Sequence, residues 1–485
     1  MSKPNRRDFL KTAAAAVAAP PTAKKMIGIQ VGAVSFVDEG VERVLDIFQQ
    51  RAYVNTLFLA TFTYGRGIAG RQVPGQRLPD HGKQEYDTDF HGGNYATLHP
   101  EYYRETVLKQ TRAPDHGNLD ILAEVLPAAR KRGMKVICWF EDVWRKDVPG
   151  IELAQERDLY DRNAATLCLN NPEVRNFWLG LVEDYARSYE IDGLMWGCER
   201  QGPLGNAIGA RHGGASSNPG RVTCFCGFCE SKARQQGISL ERVREGYRAL
   251  EQLVEQTRAR KRPVDGAFVT FWRILLRYPE ILAWETFWTD SLRETYRSIF
   301  QKAKSIRPEL LVGWHIWHNN SFSPLYRAEQ DYPELARHSD FLKVVMYHNC
   351  GGERMASYIA SVAGTIFADV PPEQLLEFEY RVMNYAERGY RDIPARGLSS
   401  DYVYRETRRA LEGVAGTNTQ IWPGLDIDVP TGARHSKSTP AGTRAAVLAA
   451  LRAGAHGVLL SRKYSEMRLA NLSGAGEALK EFGLA

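Results

Sequence analysis

The chain has 485 residues, 44% hydrophobic and 25% charged, with 63 basic against 57 acidic side chains and a formal charge of +6. That composition supplies ample core material for a globular fold. The charges are mixed along the chain without a like-charged stripe, so no nucleic-acid partner is read from them.

The N-terminus, NRRDFLKTAAAAVAAPPTAKK, carries Arg6 and Arg7, then Phe9, Leu10 and Lys11, then a weakly apolar alanine run. Residues 1–25 read as a twin-arginine-type signal segment cleaved near Ala19. Export by that route delivers an already folded protein to the periplasm or beyond. No later stretch reaches about 18 apolar residues, so no membrane span is expected in the mature chain.

From residue 26 onward short apolar, β-rich runs alternate with helical periodicity, the pattern of βα units around a parallel sheet. Eight strands are expected, at 27–36, 54–63, 134–142, 191–200, 310–318, 341–349, 419–428 and 456–464. Amphipathic helices are expected at 118–133, 173–189 and 443–455, and the tail GAGEALKEFGLA supplies a closing helix. Eight such units make an α/β fold, a (β/α)8 TIM barrel. Residues 26–485 read as a single barrel domain with insertions at 64–117 and 201–309. Both follow the C-terminal ends of strands (the second and the fourth), where barrels place their active sites.

Seven cysteines occur, at 138, 168, 198, 224, 226, 229 and 350, three of them packed into VTCFCGFCES. A disulfide within Cys-x-Cys is strained, and an odd total leaves one thiol over. Clustered thiolates instead suit a tetrahedral zinc, given a fourth ligand from elsewhere. Assembly before export would protect such a site from oxidation. The competing account is one disulfide and a free buried thiol.

The segments CLNNPEVRNFW, DGLMWGCERQG and CFCGFC (within 168–229) together resemble the zinc-cluster region of the family 42, β-galactosidase-type glycoside hydrolases. The resemblance implies that Cys168, Cys224, Cys226 and Cys229 hold one structural zinc and that Glu199 is the acid/base. Cys198 and His212 are reserve ligands. The chain departs from the family in having Cys198 before the glutamate, Asp426 and Asp428 where the family has a nucleophilic glutamate, and no following trimerisation or β-sandwich domain. Galactose specificity is therefore not carried over.

Glycoside cleavage needs two carboxyl groups flanking the bond. Glu199 ends the fourth strand; an ion pair with Arg200 is its competing role. Asp426 and Asp428 share one face of the seventh strand by the two-residue period, and Asp428, nearer the mouth, is the expected partner. Glu141 is the reserve candidate. Trp314, His315, Trp317, His318, Tyr347 and His348 at the ends of strands five and six offer stacking faces and hydrogen-bonding groups for sugar. Arg200 and Asn94 complete the expected binding set. The expectation is a glycoside hydrolase acting on an oligo- or polysaccharide, with no organic cofactor. The alternatives are a metal-dependent sugar isomerase or epimerase, built on His315, His348, Glu199 and Asp428, and a non-catalytic carbohydrate-binding barrel.

Overall fold

The computed structural model describes residues 25–213 and 221–485, so nearly all of the expected signal segment lies outside the described residues. Eight parallel strands form the frame. They are β1 (Met26–Gly32), β2 (Thr56–Thr63), β3 (Lys135–Glu141), β4 (Gly193–Gly197), β5 (Leu311–Ile316), β6 (Phe341–Val344), β7 in two pieces (Gln420–Ile421 and Gly424–Asp426) and β8 (Gly457–Ser461). Each of β1 to β5 pairs with its successor and β8 pairs with β1. The first piece of β7 pairs with β6 and the second with β8. The ring thus closes across Trp422 and Pro423, where proline has no N–H to give the ladder.

All eight expected strands are present, and most are shorter than the sequence suggests. Strand β1 stops at Gly32 because Ala33–Glu39 turns into a helix, and β6 stops at Val344 because a helix begins at His348. The expected helices stand at Ile121–Lys131, Pro172–Ser188, Pro440–Arg452 and Leu469–Glu481. After β4, the 27-residue helix Glu280–Ile306 packs on Pro172–Ser188 as part of the outer layer. Between β3 and that layer lies a hairpin, Gln155–Arg157 against Asn163–Leu167, which the periodicity did not reveal.

Register builds the barrel interior in rows. Ile137, Gly193 and Leu311 stand side by side in the lowest. Trp139, Met195, Gly313 and Phe341 form the next. With Phe58, Ala60, Trp422 and Leu459 these side chains plug the barrel, and Phe341 stacks on Trp422 with ring centroids 4.0 Å apart. A fully buried side chain of this size contributes about 1.5–3 kcal/mol. Gly313 is required for it, because a Cβ there would lie 2.4 Å from the Phe341 ring. A recess of about 610 Å3 opens at the N-terminal mouth below the plug, lined by Met26, Ile137, Leu311 and Trp422 among others, with no carboxylate among the described residues of its wall.

Gly313→Ala should therefore destabilise the barrel by about 1–3 kcal/mol, the usual cost of overpacking. Gly389→Ala, where an added Cβ meets nothing within 4 Å, should not. Thermal melts of the two variants side by side make the check; equal midpoints would mean that the plug yields.

Candidate active site and cysteine cluster

One step above the apolar plug, the same register aligns Glu141, Gly197, His315 and Lys343 across β3 to β6. The period of two that points Trp139 and Phe341 inward also points Glu141 and Lys343 inward, two residues later. The barrel thus changes from hydrocarbon to charge within one layer, at its C-terminal face. Glu199, two residues past the end of β4, reaches back over this row and places Oε1 2.9 Å from His315 Nε2. His315 Nδ1 lies 3.2 Å from Lys343 Nζ, and Lys343 Nζ donates to the Tyr347 hydroxyl at 3.1 Å. An ammonium at Lys343 makes Nδ1 the acceptor, so the Nε2–H of His315 faces Glu199.

The electrostatics separate the two carboxyls. Burial raises the Glu141 carboxyl and the Glu199 charge raises it further, to about 8, against the pull of Lys343 and Arg462. At Glu199 burial also works upward, but the His315 hydrogen bond and the fields of His315, Arg354 and Lys343 outweigh it and bring the group to about 2. Its side chain sits among these charges yet is 48% exposed, as a carboxylate on a cleft floor should be. Burial lowers Lys343 to about 7, opposed by both glutamates. Burial and the Lys343 charge lower His315 to about 4, leaving it neutral. These shifts favour a protonated Glu141 beside an ionised Glu199 near neutrality.

The expected partners of Glu199 are engaged elsewhere. Asp426, fully buried, accepts the backbone N–H groups of Asn349 (3.2 Å) and Cys350 (2.9 Å) and lies 2.8 Å from His348 Nδ1. It anchors the first turn of the helix His348–Ala363. Asp428 accepts Arg468 N and Asn471 Nδ2, each at 2.8 Å, and pairs with the Arg468 guanidinium. It holds the start of the last helix. Both aspartates serve the loops, and the carboxyl that the Glu199 charge acts on is that of Glu141, the reserve candidate.

Other expected binders also move. Trp314 is in register with Trp196 and Leu342 and faces outward onto Tyr296, with centroids 4.5 Å apart, so it is core. Asn94 is buried, bonding Ala96 N and the Tyr185 hydroxyl. Arg200 does not pair with Glu199. Its Nε lies 3.1 Å from Asp142 and its Nη1 3.2 Å from Glu156, and Nη1 donates to Leu167 O at 3.0 Å. Trp317 packs on His212 and Tyr326, and His318 lies between Arg354 and the Tyr402 hydroxyl. His315 and Tyr347 belong to the charged row; His348 belongs to Asp426. Of the groups proposed for a shared catalytic ion, His315 and Glu199 bond each other, while His348 pairs with Asp426 and Asp428 with Arg468. Lys343 and Arg354 lie outside the expected set, although a lysine inside the apolar run FLKVVMY is a legible sign of an inward polar position. Lys343 has room because β7 carries Gly424, whose Cβ would stand 2.4 Å from Lys343 Cε.

All seven cysteines are free thiols, and the sulfurs of Cys168, Cys224, Cys226 and Cys229 lie within 4.8 Å of one another. Cys168 Sγ is 3.5 Å from both Cys226 and Cys229 Sγ. Zinc–sulfur bonds of about 2.3 Å in a tetrahedron need sulfurs about 3.8 Å apart, so the four thiols fit a metal of that kind. Cys168 leaves the hairpin, and Cys226 caps the helix Gly227–Gln235. Arg157 N and Asn170 Nδ2 donate to Cys224 and Cys229, contacts that favour thiolates. Cys198 and His212 stay outside the group: Cys198 lies against Asp142 and His212 against Asn319.

Strands, helices and polar rim together define a (β/α)8 TIM barrel with a charged C-terminal cleft. The chain is similar to a polyextremophilic β-galactosidase from the Antarctic haloarchaeon Halorubrum lacusprofundi, with a TM-score of 0.52 and 15% identity over 94% of this chain and 58% of that one. The glycoside hydrolase domain of PgaB (BpsB) from Bordetella bronchiseptica gives 0.49 and 12% over 94% and 98%. The β-galactosidase of the psychrophilic Marinomonas ef1 gives 0.49 and 11% over 95% and 61%. The chain therefore spans about three-fifths of these β-galactosidases. These three are glycoside hydrolases by name, and at 15% identity the likeness to the first is one of fold alone. A twin-arginine translocation pathway signal matches residues 3–20, which supports export to the periplasm or beyond. No curated protein matches the chain in sequence. Among the described residues no helix is long and apolar enough to cross a membrane.

A carboxyl raised to about 8 keeps a proton that the unfolded chain has released above its ordinary value of 4.5. Folding stability attributable to Glu141 therefore falls as pH rises from about 4.5 to about 8. Glu141→Gln should melt higher than the parent, by about 1 °C per kcal/mol relieved in a chain of this length. Its advantage should grow across that window and level off above it. Coincident melting curves at pH 5 and pH 8 would contradict the burial of an ionisable group here.

Proposed function

We propose that the protein is an exported glycoside hydrolase whose reacting pair is Glu141 and Glu199, acting on an oligo- or polysaccharide. The observation that carries this reading is the pair of carboxyls on one rim, Glu141 in register with Gly197 and His315 and Glu199 bonded to His315 at 2.9 Å, with burial and the Glu199 charge raising Glu141 and the His315 bond and nearby cations lowering Glu199. Glu141 gives its proton to the glycosidic oxygen as the bond to the anomeric carbon breaks. Glu199, ionised, faces the developing positive charge and either attacks that carbon or takes a proton from water. Separations of about 5 Å give retention and about 6.5–9.5 Å inversion. His315 orients Glu199, and Lys343 balances the charge left on Glu141 after proton transfer. Residues 26–485 act as one barrel domain in this account, and the exported product works in the periplasm or outside the cell.

We read the four-cysteine group as a structural zinc site. Its role would be mechanical, because Leu167, just before Cys168, bonds Arg200, and Thr223, just before Cys224, bonds Glu156 at 2.9 Å. A closed four-thiolate site leaves no open position for substrate, which suits support rather than chemistry.

Screening aryl glycosides and natural polysaccharides identifies the substrate. On it, Glu199→Gln and Glu141→Gln should each lower kcat by about 10²–10⁴-fold, while Asp428→Asn should stay close to the parent. Activity should decline as pH rises through about 8, where Glu141 loses its proton. Normal turnover in both glutamine variants would dismiss the pair.

Elemental analysis of protein purified without added metal should find about one zinc per chain. Cys226→Ser should lose it together with thermal stability. Metal-free protein of unchanged melting temperature would remove the zinc assignment.

A further inference from the structure

The helix Ala267–Arg277, AFVTFWRILLR, is apolar over far more of its circumference than it buries. Ala267, Phe271 and Leu275 pack inward, whereas Phe268, Val269, Trp272 and Leu276 are exposed, the last two by 48% and 78%. At 100° per residue those four occupy an arc of about 100° beside the buried one. Val264, three residues before the helix, is 95% exposed, and Leu282 is exposed in the helix that follows. Single exposed apolar residues need no explanation, but a contiguous stripe with two aromatics does.

Just before this helix the sequence reads RARKR, residues 258–262, four cations in five positions that the overall mixing of charge conceals. Arg258, Arg260, Lys261 and Arg262 line a groove of about 670 Å3, with Asp369 on the far wall. Asp369 holds Arg262 at 2.7 Å. Arg260 and Lys261 have no carboxylate within 4 Å among the described residues. Phe268 stacks on Phe367 at 5.1 Å, next to Ala368 and Asp369 of the groove wall, and Ala267 N donates to Asp369, so the stripe adjoins the groove.

We propose that this groove and stripe form a docking surface for an anionic phospholipid membrane. The cations meet headgroup phosphates while Phe268, Trp272 and Leu276 enter the boundary of the acyl chains, the division of labour of an interfacial helix. Charge argues against a second copy of the chain as occupant. A parallel two-fold pairing sets residues 258–262 against themselves, and an antiparallel one sets them against Arg277 and against Arg273, which Asp265 pairs at 2.6 Å. The surface lies on residues outside the catalytic row, so this inference stands independently of the hydrolase reading.

The test is sedimentation of the mature protein with vesicles of phosphatidylcholine alone and of equal parts phosphatidylcholine and phosphatidylglycerol. Binding is expected only to the mixed vesicles. It should weaken when salt rises from about 0.1 to about 1 M and the screening length falls from about 10 to about 3 Å. Arg260→Ala with Lys261→Ala should cost about 30-fold in vesicle affinity, at the usual contribution per basic residue. Trp272→Ser with Leu276→Ser should abolish binding, with melting curves confirming that these surface variants fold. No binding, or equal binding to both vesicle types, overturns the proposal. So does a concentration-dependent dimer that Trp272→Ser dissolves, which would make the face a self-association surface.

Discussion

The arrangement of the cleft depends on one buried guanidinium. Arg200 lies between Asp142 and Glu156, with distances of 3.1 and 3.2 Å. Asp142 follows Glu141 and Arg200 follows Glu199, so the outward residues of two strand ends form an ion pair and their neighbours face the cleft together. A buried charge costs several kcal/mol unless it is paired and hydrogen-bonded, and removing one member leaves the other uncompensated. The triad thus specifies geometry more than it adds stability. Its third member, Glu156, sits in the hairpin that presents Cys168 and accepts from Thr223 beside Cys224. Support therefore runs from the cysteine group through Glu156 and Arg200 to Glu199.

Across the same wall the inner row separates two identical functional groups by environment. Glu141 has hydrocarbon beneath it and a carboxylate beside it, which favour the proton. Glu199 has an imidazole N–H and two nearby cations, which favour its loss. Lys343 couples them, because its charge acts on Glu141 directly and on Glu199 through His315. The apolar plug one row below supplies the low polarizability that lets these fields act at full strength. The row's chemistry and the plug's packing are consecutive turns of one register.

Much of the architecture was legible in the chain. Eight apolar runs separated by helical periodicity define the barrel because strand and helix periods are local properties. The cysteine triplet is local too, and its resemblance to known zinc clusters draws in Cys168, which lies beside it across 55 intervening positions. Glu199 and Glu141 could be named as rim carboxylates from their places at strand ends. Their order of importance could not, since it turns on which neighbours' fields each one meets.

What the sequence determined by itself, then, is the succession of elements, the export signal and the set of residues able to reach the rim, all of which follow from short-range periodicity and spacing. Tertiary structure alone decided which of them meet. Asp426 and Asp428 stand at a strand mouth like Glu141, yet the helix ends at His348 and Arg468 close over them and consume their lone pairs. Trp314 and His315 are neighbours in the chain and lie on opposite sides of the sheet. Lys343 is an isolated charge in an apolar run until β5 brings His315 beside it and Gly424 on β7 leaves it room. Such contacts depend on the register between strands distant in sequence, and no local pattern encodes that register.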